Sequence, residues 1–333
     1  MTKAKIKNIG LLTSGGDAPG MNAAIHAIVT TAEYYNVKCF GFKRGYNGLI
    51  DKKYTKLCSR TVKHISQLGG TILKSARCDR MKQAEMRQLA VENMKSLELD
   101  GLIVIGGDGS FRGATELSHI TEIPILGVPG TIDNDIDGSD YTIGFFTAAD
   151  TALDAIDKIR DTADAFERIF IVEVMGRHSG HLALEVGVAA EAEHIICPEM
   201  EIEPQSIVQN IATHINNHLA VFGNSSYIIV IAENTYEQGS EALAKMLTEQ
   251  IGIETRASIL GHIQRGGIAS CQDRTLATKL GGFAVESLIR GQDSVMVGEV
   301  NGNLTLTPLN KTGLGQKTPS EYLLNLYQKK LAM

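Results

Sequence analysis

The sequence lacks the features that would place it in several large classes. Its 333 residues carry a formal net charge of −6, so no basic surplus exists to attract nucleic acid or an anionic membrane surface. Any anion it binds must meet a local cluster of cations. No apolar run approaches the roughly 20 residues that span a bilayer. The five cysteines, Cys39, Cys58, Cys78, Cys197 and Cys271, are odd in number, scattered and without a CxxC pair, which predicts reduced thiols in a cytoplasmic protein. The nine histidines never take the HExxH spacing of a zinc site. The opening "MTKAKIKNIG" enters strand-like sequence within a few residues, which predicts no signal peptide. The chain is long enough to predict two lobes, yet no Pro/Ser-rich or low-complexity linker divides it, so it is expected to cross between them more than once.

Short apolar runs alternate with amphipathic stretches. The runs "NIGLLTS", "VKCFGF", "GLIVIGG", "IPILGVP", "RIFIVEVMG", "HIICPE" and "SYIIVIAE" are nearly continuous in apolar residues, as in parallel strands covered on both faces. Helical periodicity falls at 20–35, 84–97, 110–118, 145–161, 181–193, 205–221 and 239–251. This rhythm predicts an α/β protein with mostly parallel sheets covered by helices. Ligands of such sheets bind outside the carboxyl ends of the strands. Four strand ends run into glycine-rich or acidic loops: "TSGGDAPGMN", "IGGDGSFRG", "VPGTIDND" and "VMGRHSGH".

These loops have the parts of a phosphoryl-transfer site. In "TSGGDAPGMN", Gly15, Gly16 and Gly20 let backbone N–H groups approach an anion at a helix start, although the spacing is neither GxGxxG nor GxxxxGK(S/T). In "IGGDGS", Gly106, Gly107 and Gly109 surround Asp108, a carboxylate suited to magnesium. Asp108 is equally suited to cap the helix from Ser110, but a cap does not explain three glycines. In "GTIDND", Asp133 and Asp135 stand two apart and are expected to face different directions in an extended turn. One can then act as a base while the other helps hold a metal. Taken alone, that segment is better explained by an Asx-rich turn. Arg77, Arg177, Arg256, His262 and Arg265 supply cations in settings suited to phosphate. His64, His194, His214 and His218 read as structural or surface residues.

Together the loops resemble the bacterial ATP-dependent 6-phosphofructokinases. The resemblance rests on "LLTSGGDAPGMNAAI", "VIGGDGS", "PGTIDNDI", "DYTIGFFTA", "VEVMGR" and "RASILGHIQRGG" with its following "QDR", and it weakens after about residue 295. It implies two Rossmann-like lobes: an ATP-binding lobe of 1–144 plus 262–308, and a fructose 6-phosphate lobe of 145–261 plus 309–333. Asp133 would be the base on the sugar 1-hydroxyl. Arg77, Arg177 and Thr131 would complete the catalytic set. Gly16, Tyr46, Arg77, Cys78, Gly107, Asp108, Gly109 and Ser110 would line the ATP site, with Tyr46 near the adenine. Magnesium would lie on Asp108, assisted by Asp135. Thr131, Ile132, Asp133, Met175, Gly176, Arg177, Glu233, His262, Ile263, Gln264 and Arg265 would hold the sugar phosphate. Arg168 and Arg256 would reach the site of a neighbouring subunit, which implies a homotetramer.

The nearest rival is a pyrophosphate-dependent phosphofructokinase, in which bulkier charged residues stand where this chain has Gly109 and Gly130. Lipid or dinucleotide kinases share "GGDG" but have no evident use for "TIDND" and "GHIQRGG". A regulator without catalysis would be expected to lose its base or cations, and a NAD-linked oxidoreductase has a different glycine spacing. The family's effector site for ADP and phosphoenolpyruvate is normally rich in arginine. Here His26, Thr30 and Leu68 stand at such positions, "VFGNSS" lacks the usual basic residues, and only Arg160 and Glu193 match. Weak or absent regulation by these ligands is expected.

Overall fold

A computed structural model of the chain describes residues 6–200, 206–223, 226–313 and 317–331. Residues 1–5, 205, 224–225, 314–316 and 332–333, on which parts of the expected N-terminal run, helix, effector segment and tail fall, lie outside the described residues.

The chain divides into two compact units. The first comprises Met1–Ile132, Ile136–Thr147 and Arg265–Lys317, and the second comprises Asp133–Asp135, Ala148–Gln264 and Thr318–Met333.

In the first unit, the strands are β1 (Asn8–Thr13), β2 (Lys38–Phe42), β3 (Tyr54–Leu57), β4 (Gly101–Gly106), β5 (Ile125–Pro129), β10 (Val295–Val300) and β11 (Asn303–Pro308). They form one sheet in the order β11-β10-β5-β4-β1-β2-β3. Only the β2–β3 and β10–β11 pairs at its edges are antiparallel. Every residue of β4, "GLIVIG", is buried, as a parallel strand covered on both faces requires. The covering helices are α1 (Met21–Tyr34), α2 (Tyr46–Ile50), α3 (Ala84–Ser96), α4 (Asp108–Ser118) and α9 (Cys271–Ile289), and the first turn of α5 (Phe145–Phe166). Helices α1 and α9 cross closely because Gly281 has no side chain: a Cβ there would lie 2.9 Å from the Ala24 carbonyl oxygen.

In the second unit, β6 (Ile169–Val174), β7 (His194–Ile196), β8 (Tyr227–Ala232) and β9 (Thr255–Ile259) form a parallel sheet in the order β7-β8-β6-β9. The rest of α5, with α6 (His181–Ala189), α7 (Ile207–Phe222), α8 (Ser240–Ile251) and α10 (Glu321–Leu331), belongs to this unit. Left-handed glycines end α7 and α8, at Gly223 (φ 63°) and Gly252 (φ 73°).

The expected fold class holds, and each expected run contains a strand. Several elements were not anticipated: β3, β9, β10, β11, α2, α9 and α10. The run "HIICPE" yields only three strand residues, and α5 continues five residues past the expected end at 161. No helix among the described residues is long and apolar enough to cross a membrane. All five cysteines are free thiols, and burial pushes Cys39 and Cys197 up to about 12.

Candidate active site

The first unit collects three glycine-rich turns at the carboxyl ends of β1, β4 and β5. The Ser14 N–H donates to the Ile105 carbonyl at 2.9 Å, and the Gly130 N–H donates to the Gly106 carbonyl at 3.0 Å, so the strand ends are tied side by side. Gly15 and Gly20 have φ of 85° and 103°, which an L side chain rarely adopts. The Gly15 carbonyl accepts from Ser75 Oγ at 2.6 Å. At Gly16 an added Cβ would lie 2.7 Å from Arg265 Nη1, so the missing side chain admits that guanidinium.

Asp108 is the first residue of α4, where the helix dipole favours negative charge. Its Oδ2 pairs with Arg112 Nη2 at 3.0 Å. Its Oδ1 is buried and has no hydrogen-bond partner among the described residues. Gly313 covers that oxygen so closely that a Cβ there would lie 2.3 Å away. A buried carboxylate oxygen without a partner is costly, and a magnesium ion would satisfy it. The donor set fits magnesium, which takes one or two carboxylates and draws its other ligands from phosphate and water. No cluster of three or more His, Cys, Asp or Glu suited to a metal occurs among the described residues. Gly109 is open, with nothing nearer its would-be Cβ than Arg112 Nη2 at 3.9 Å.

Gly130 differs from Gly109. A Cβ there would lie 2.9 Å from Ile105 Cγ2 and 3.2 Å from Met21 Cε. Core packing therefore accounts for that glycine, and of the two only Gly109 has open space beside it. Tyr46 is buried, its hydroxyl donates to the Ser110 carbonyl at 2.6 Å, and its ring lies against Gly113. Burial raises its phenol well above the usual range. Cys78 Sγ lies 3.1 Å from Asn47 Oδ1, and Arg77 beside it is exposed. Thr131 faces Gly107, and its carbonyl accepts from Thr142 Oγ1 at 2.6 Å. Ile132 is buried against Gly144. Asp273, from the "QDR" signature, is a fully buried anchor: its carboxylate accepts the N–H groups of Gly144 at 2.8 Å and Thr147 at 2.7 Å.

The second unit contains Asp133–Asp135. This segment is not the extended turn expected, because Asn134 is left-handed with φ 53°. Asparagine tolerates that conformation better than most residues. The Asp133 carbonyl accepts from Ser179 Oγ at 3.0 Å, which ties the segment to the loop after β6. Glu233, which follows β8, holds that loop: its Oε1 accepts the N–H groups of Gly176 at 3.2 Å and Arg177 at 2.7 Å. These bonds hold Arg177 at φ 61°, a strained conformation of the kind that clusters at functional sites. Asn234 Nδ2 holds the Arg177 carbonyl at 3.1 Å. The Met175 N–H donates to Oε1 of the fully buried Gln264 at 2.9 Å. His262 and Ile263 are exposed on the turn that carries Gln264.

Arg168 and Arg256 stand elsewhere, at the amino ends of β6 and β9. Six residues of strand, about 20 Å, separate Arg168 from Met175–Arg177 on the same sheet. Both arginines engage one carboxylate that the sequence reading passed over. Glu254 Oε2 lies 2.7 Å from Arg168 Nε, and its Oε1 accepts from Arg256 Nε at 2.8 Å and Nη2 at 2.6 Å. A signal existed: Glu254 and Arg256 are two apart at a strand start and share a face.

At the effector-site positions, Thr30 Oγ1 donates to the His26 carbonyl at 2.8 Å within α1, and Leu68 is exposed. Arg160 is held by Glu193 at 3.0 Å and by the Ala190 carbonyl at 2.9 Å, while Glu193 Oε2 also accepts the Ile228 N–H at 2.7 Å.

Residues 8–288 match the family described as Phosphofructokinase. The chain is 47% identical to ATP-dependent 6-phosphofructokinase 1 of Thermus thermophilus over 97% of this chain and 99% of that one. It is 48% identical to the ATP-dependent 6-phosphofructokinase of Bacillus velezensis over 90% and 91%. Among solved structures, phosphofructokinase from Saccharomyces cerevisiae superposes with a TM-score of 0.87 at 32% identity, covering 98% of this chain and 48% of that chain, so the present chain spans about half its length. A pyrophosphate-dependent phosphofructokinase from Marinobacter aquaeolei shares the fold, with a TM-score of 0.83 at 22% identity over 98% and 92%. The chain belongs to the phosphofructokinase family.

Proposed function

We propose that this protein transfers the γ-phosphoryl group of ATP to the 1-hydroxyl of fructose 6-phosphate, giving fructose 1,6-bisphosphate in the committed step of glycolysis. The observation that carries the reading is Asp108, a carboxylate at a helix start, flanked by Gly107 and Gly109, with one buried oxygen that has no hydrogen-bond partner among the described residues. Relatives at 47–48% identity are named ATP-dependent, and the open space at Gly109 supports the same donor.

In this reading Asp133 accepts the proton of the attacking 1-hydroxyl, with its backbone set by Ser179. Asp108 would hold magnesium with Asp135 assisting, and the bound ion would neutralise phosphate charge. Gly16, Arg77, Cys78, Gly107, Gly109 and Ser110 receive the nucleotide, and buried Tyr46 supports the Ser110 backbone from beneath. Thr131, Ile132, Met175, Gly176, Arg177, Glu233, His262, Ile263, Gln264 and Arg265 hold or shape the sugar-phosphate site. Arg177 and Arg77 also stabilise transferring charge. Arg168 and Arg256 serve a neighbouring subunit of a homotetramer, because about 20 Å of strand is too far for Arg168 and Arg177 of one chain to share one sugar. We also propose a cytoplasmic location and weak or absent control by ADP and phosphoenolpyruvate, since Arg160 is already committed to Glu193 and no arginine or lysine stands at positions 26, 30 and 68.

A coupled assay for fructose 1,6-bisphosphate, run with ATP and with pyrophosphate in the presence of magnesium, tests the reading. Turnover is expected with ATP. Turnover with pyrophosphate alone contradicts the donor assignment.

A further inference from the structure

We infer that Glu254 is a positioning residue for the sugar phosphate, acting through Arg168 and Arg256. The inference rests on the reading above, in which these two arginines receive that phosphate. The parallel register pairs Ile169 with Thr255 and Phe170 with Arg256, so Arg168 and Glu254 immediately precede paired residues on adjacent strands. The backbone joins them as well: the Ile169 N–H donates to the Glu254 carbonyl at 3.2 Å. Neighbouring strands lie only about 4.8 Å apart, so two guanidinium groups there repel each other unless an anion lies between them.

Glu254 is that anion: it accepts directional hydrogen bonds from Arg256 and forms a close ion pair with Arg168. It takes Arg168 by Nε at 2.7 Å, and Arg256 by Nε at 2.8 Å and Nη2 at 2.6 Å. The two arginines pull the Glu254 carboxyl below its usual range, with the hydrogen bond from Arg256 the larger cause. The Phe166 ring, 4.6 Å from Arg168 Cζ, supports the other side of that guanidinium. The carboxylate therefore engages the Nε and Nη2 of Arg256 and lies nearest the Nε of Arg168. Neither Arg256 Nη1 nor either Arg168 Nη atom makes a hydrogen bond among the described residues. Those terminal donors are the ones suited to bidentate contact with a phosphate.

Glu254 also places a negative charge near the incoming phosphate, which opposes binding. The geometry favours orientation as the larger effect: two long side chains are already held, whereas exposed charges repel weakly across water. An ordinary exposed ion pair would contribute almost nothing, so the proposal is distinguishable from that case.

The test is steady-state kinetics of the intact enzyme with Glu254→Ala, Glu254→Gln, Arg168→Ala, and an Arg168→Ala/Arg256→Ala pair with and without Glu254→Ala. Glu254→Ala is expected to raise KM for fructose 6-phosphate about three- to tenfold, with kcat and KM for ATP within about twofold of the parent. Glu254→Gln, which removes the charge but keeps an acceptor for Arg256, is expected to raise it less. Without the two arginines, Glu254→Ala is expected to add nothing. If Arg168→Ala raises KM but Glu254→Ala leaves it unchanged or lowers it, the inference is overturned and the functional reading stands. If Arg168→Ala itself leaves KM unchanged, the phosphate role of the arginines fails, and the inference with it. Assembly size is measured on the same preparations, and a KM rise accompanied by dissociation also counts against Glu254.

Discussion

The two ends of the second unit's sheet use a glutamate in different ways. At the carboxyl end, Glu233 accepts backbone N–H groups from Gly176 and Arg177. At the amino end, Glu254 engages the side chains of Arg168 and Arg256. Glu233 spends its charge on the shape of a loop, and the Arg177 side chain stays exposed with no partner among the described residues. Glu254 spends its charge on other charges and leaves the backbone alone. A loop held by its backbone can present a reactive constellation with small tolerance. A pair of guanidinium groups held by one carboxylate presents fixed positive charge to something arriving from outside. We propose that the first end belongs to the chain's own chemistry and the second to a neighbour's.

The largest effect expected from breaking this division is at Asp133, whose backbone the carboxyl end holds through Ser179. Asp133→Ser is expected to lower kcat by about 10²–10⁴-fold with a much smaller change in KM. Rapid-quench or coupled kinetics measure it, and a variant within about tenfold of the parent would return Asp133 to the role of a turn residue. Next in size, Arg168→Ala and Arg256→Ala each remove a charge-assisted contact worth about 1.5–3 kcal/mol, which corresponds to about a 10- to 150-fold rise in KM for fructose 6-phosphate. An equal fall in kcat would instead assign these arginines to the transition state. The smallest effect concerns regulation. Adding ADP or phosphoenolpyruvate at sub-saturating fructose 6-phosphate is expected to shift activity by less than about twofold, because no arginine or lysine stands at His26, Thr30 or Leu68 to meet a phosphate. Sigmoidal inhibition by phosphoenolpyruvate that ADP relieves would contradict this.

Much of this was legible in the sequence where the signal is local. Continuous apolar runs bounded by glycine mark β1, β4, β5, β6 and β8, because a strand buried on both faces has no alternative composition. The strand β9 was hidden: "TRASI" is half polar, with Arg256 and Ile259 exposed, so it lacks both the apolar run and clean alternation. Helix α9 lay within and after the signature "QDR", whose Asp273 turned out to anchor Gly144 and Thr147 from a distant part of the chain. Gly130 and Gly109 looked alike as letters, yet one is crowded by Ile105 and Met21 and the other is open. Close approach is a property of neighbours brought together by the fold, and no local pattern encodes it. The role of Glu254 was half legible. Its spacing from Arg256 can be read from the chain, but Arg168 comes from the adjacent strand and needs the register.

The division between the two ends of the sheet is tested most directly by mixing subunits. Arg168→Ala chains retain Asp133, and Asp133→Ser chains retain Arg168, so each population alone is expected to be nearly inactive at low fructose 6-phosphate. Dissociating and reassembling the two together would create sites that take Asp133 from one chain and Arg168 from its neighbour. The account predicts that such hybrids regain a substantial fraction of parental activity at low fructose 6-phosphate, whereas mixed populations with no more activity than the separate variants would contradict it.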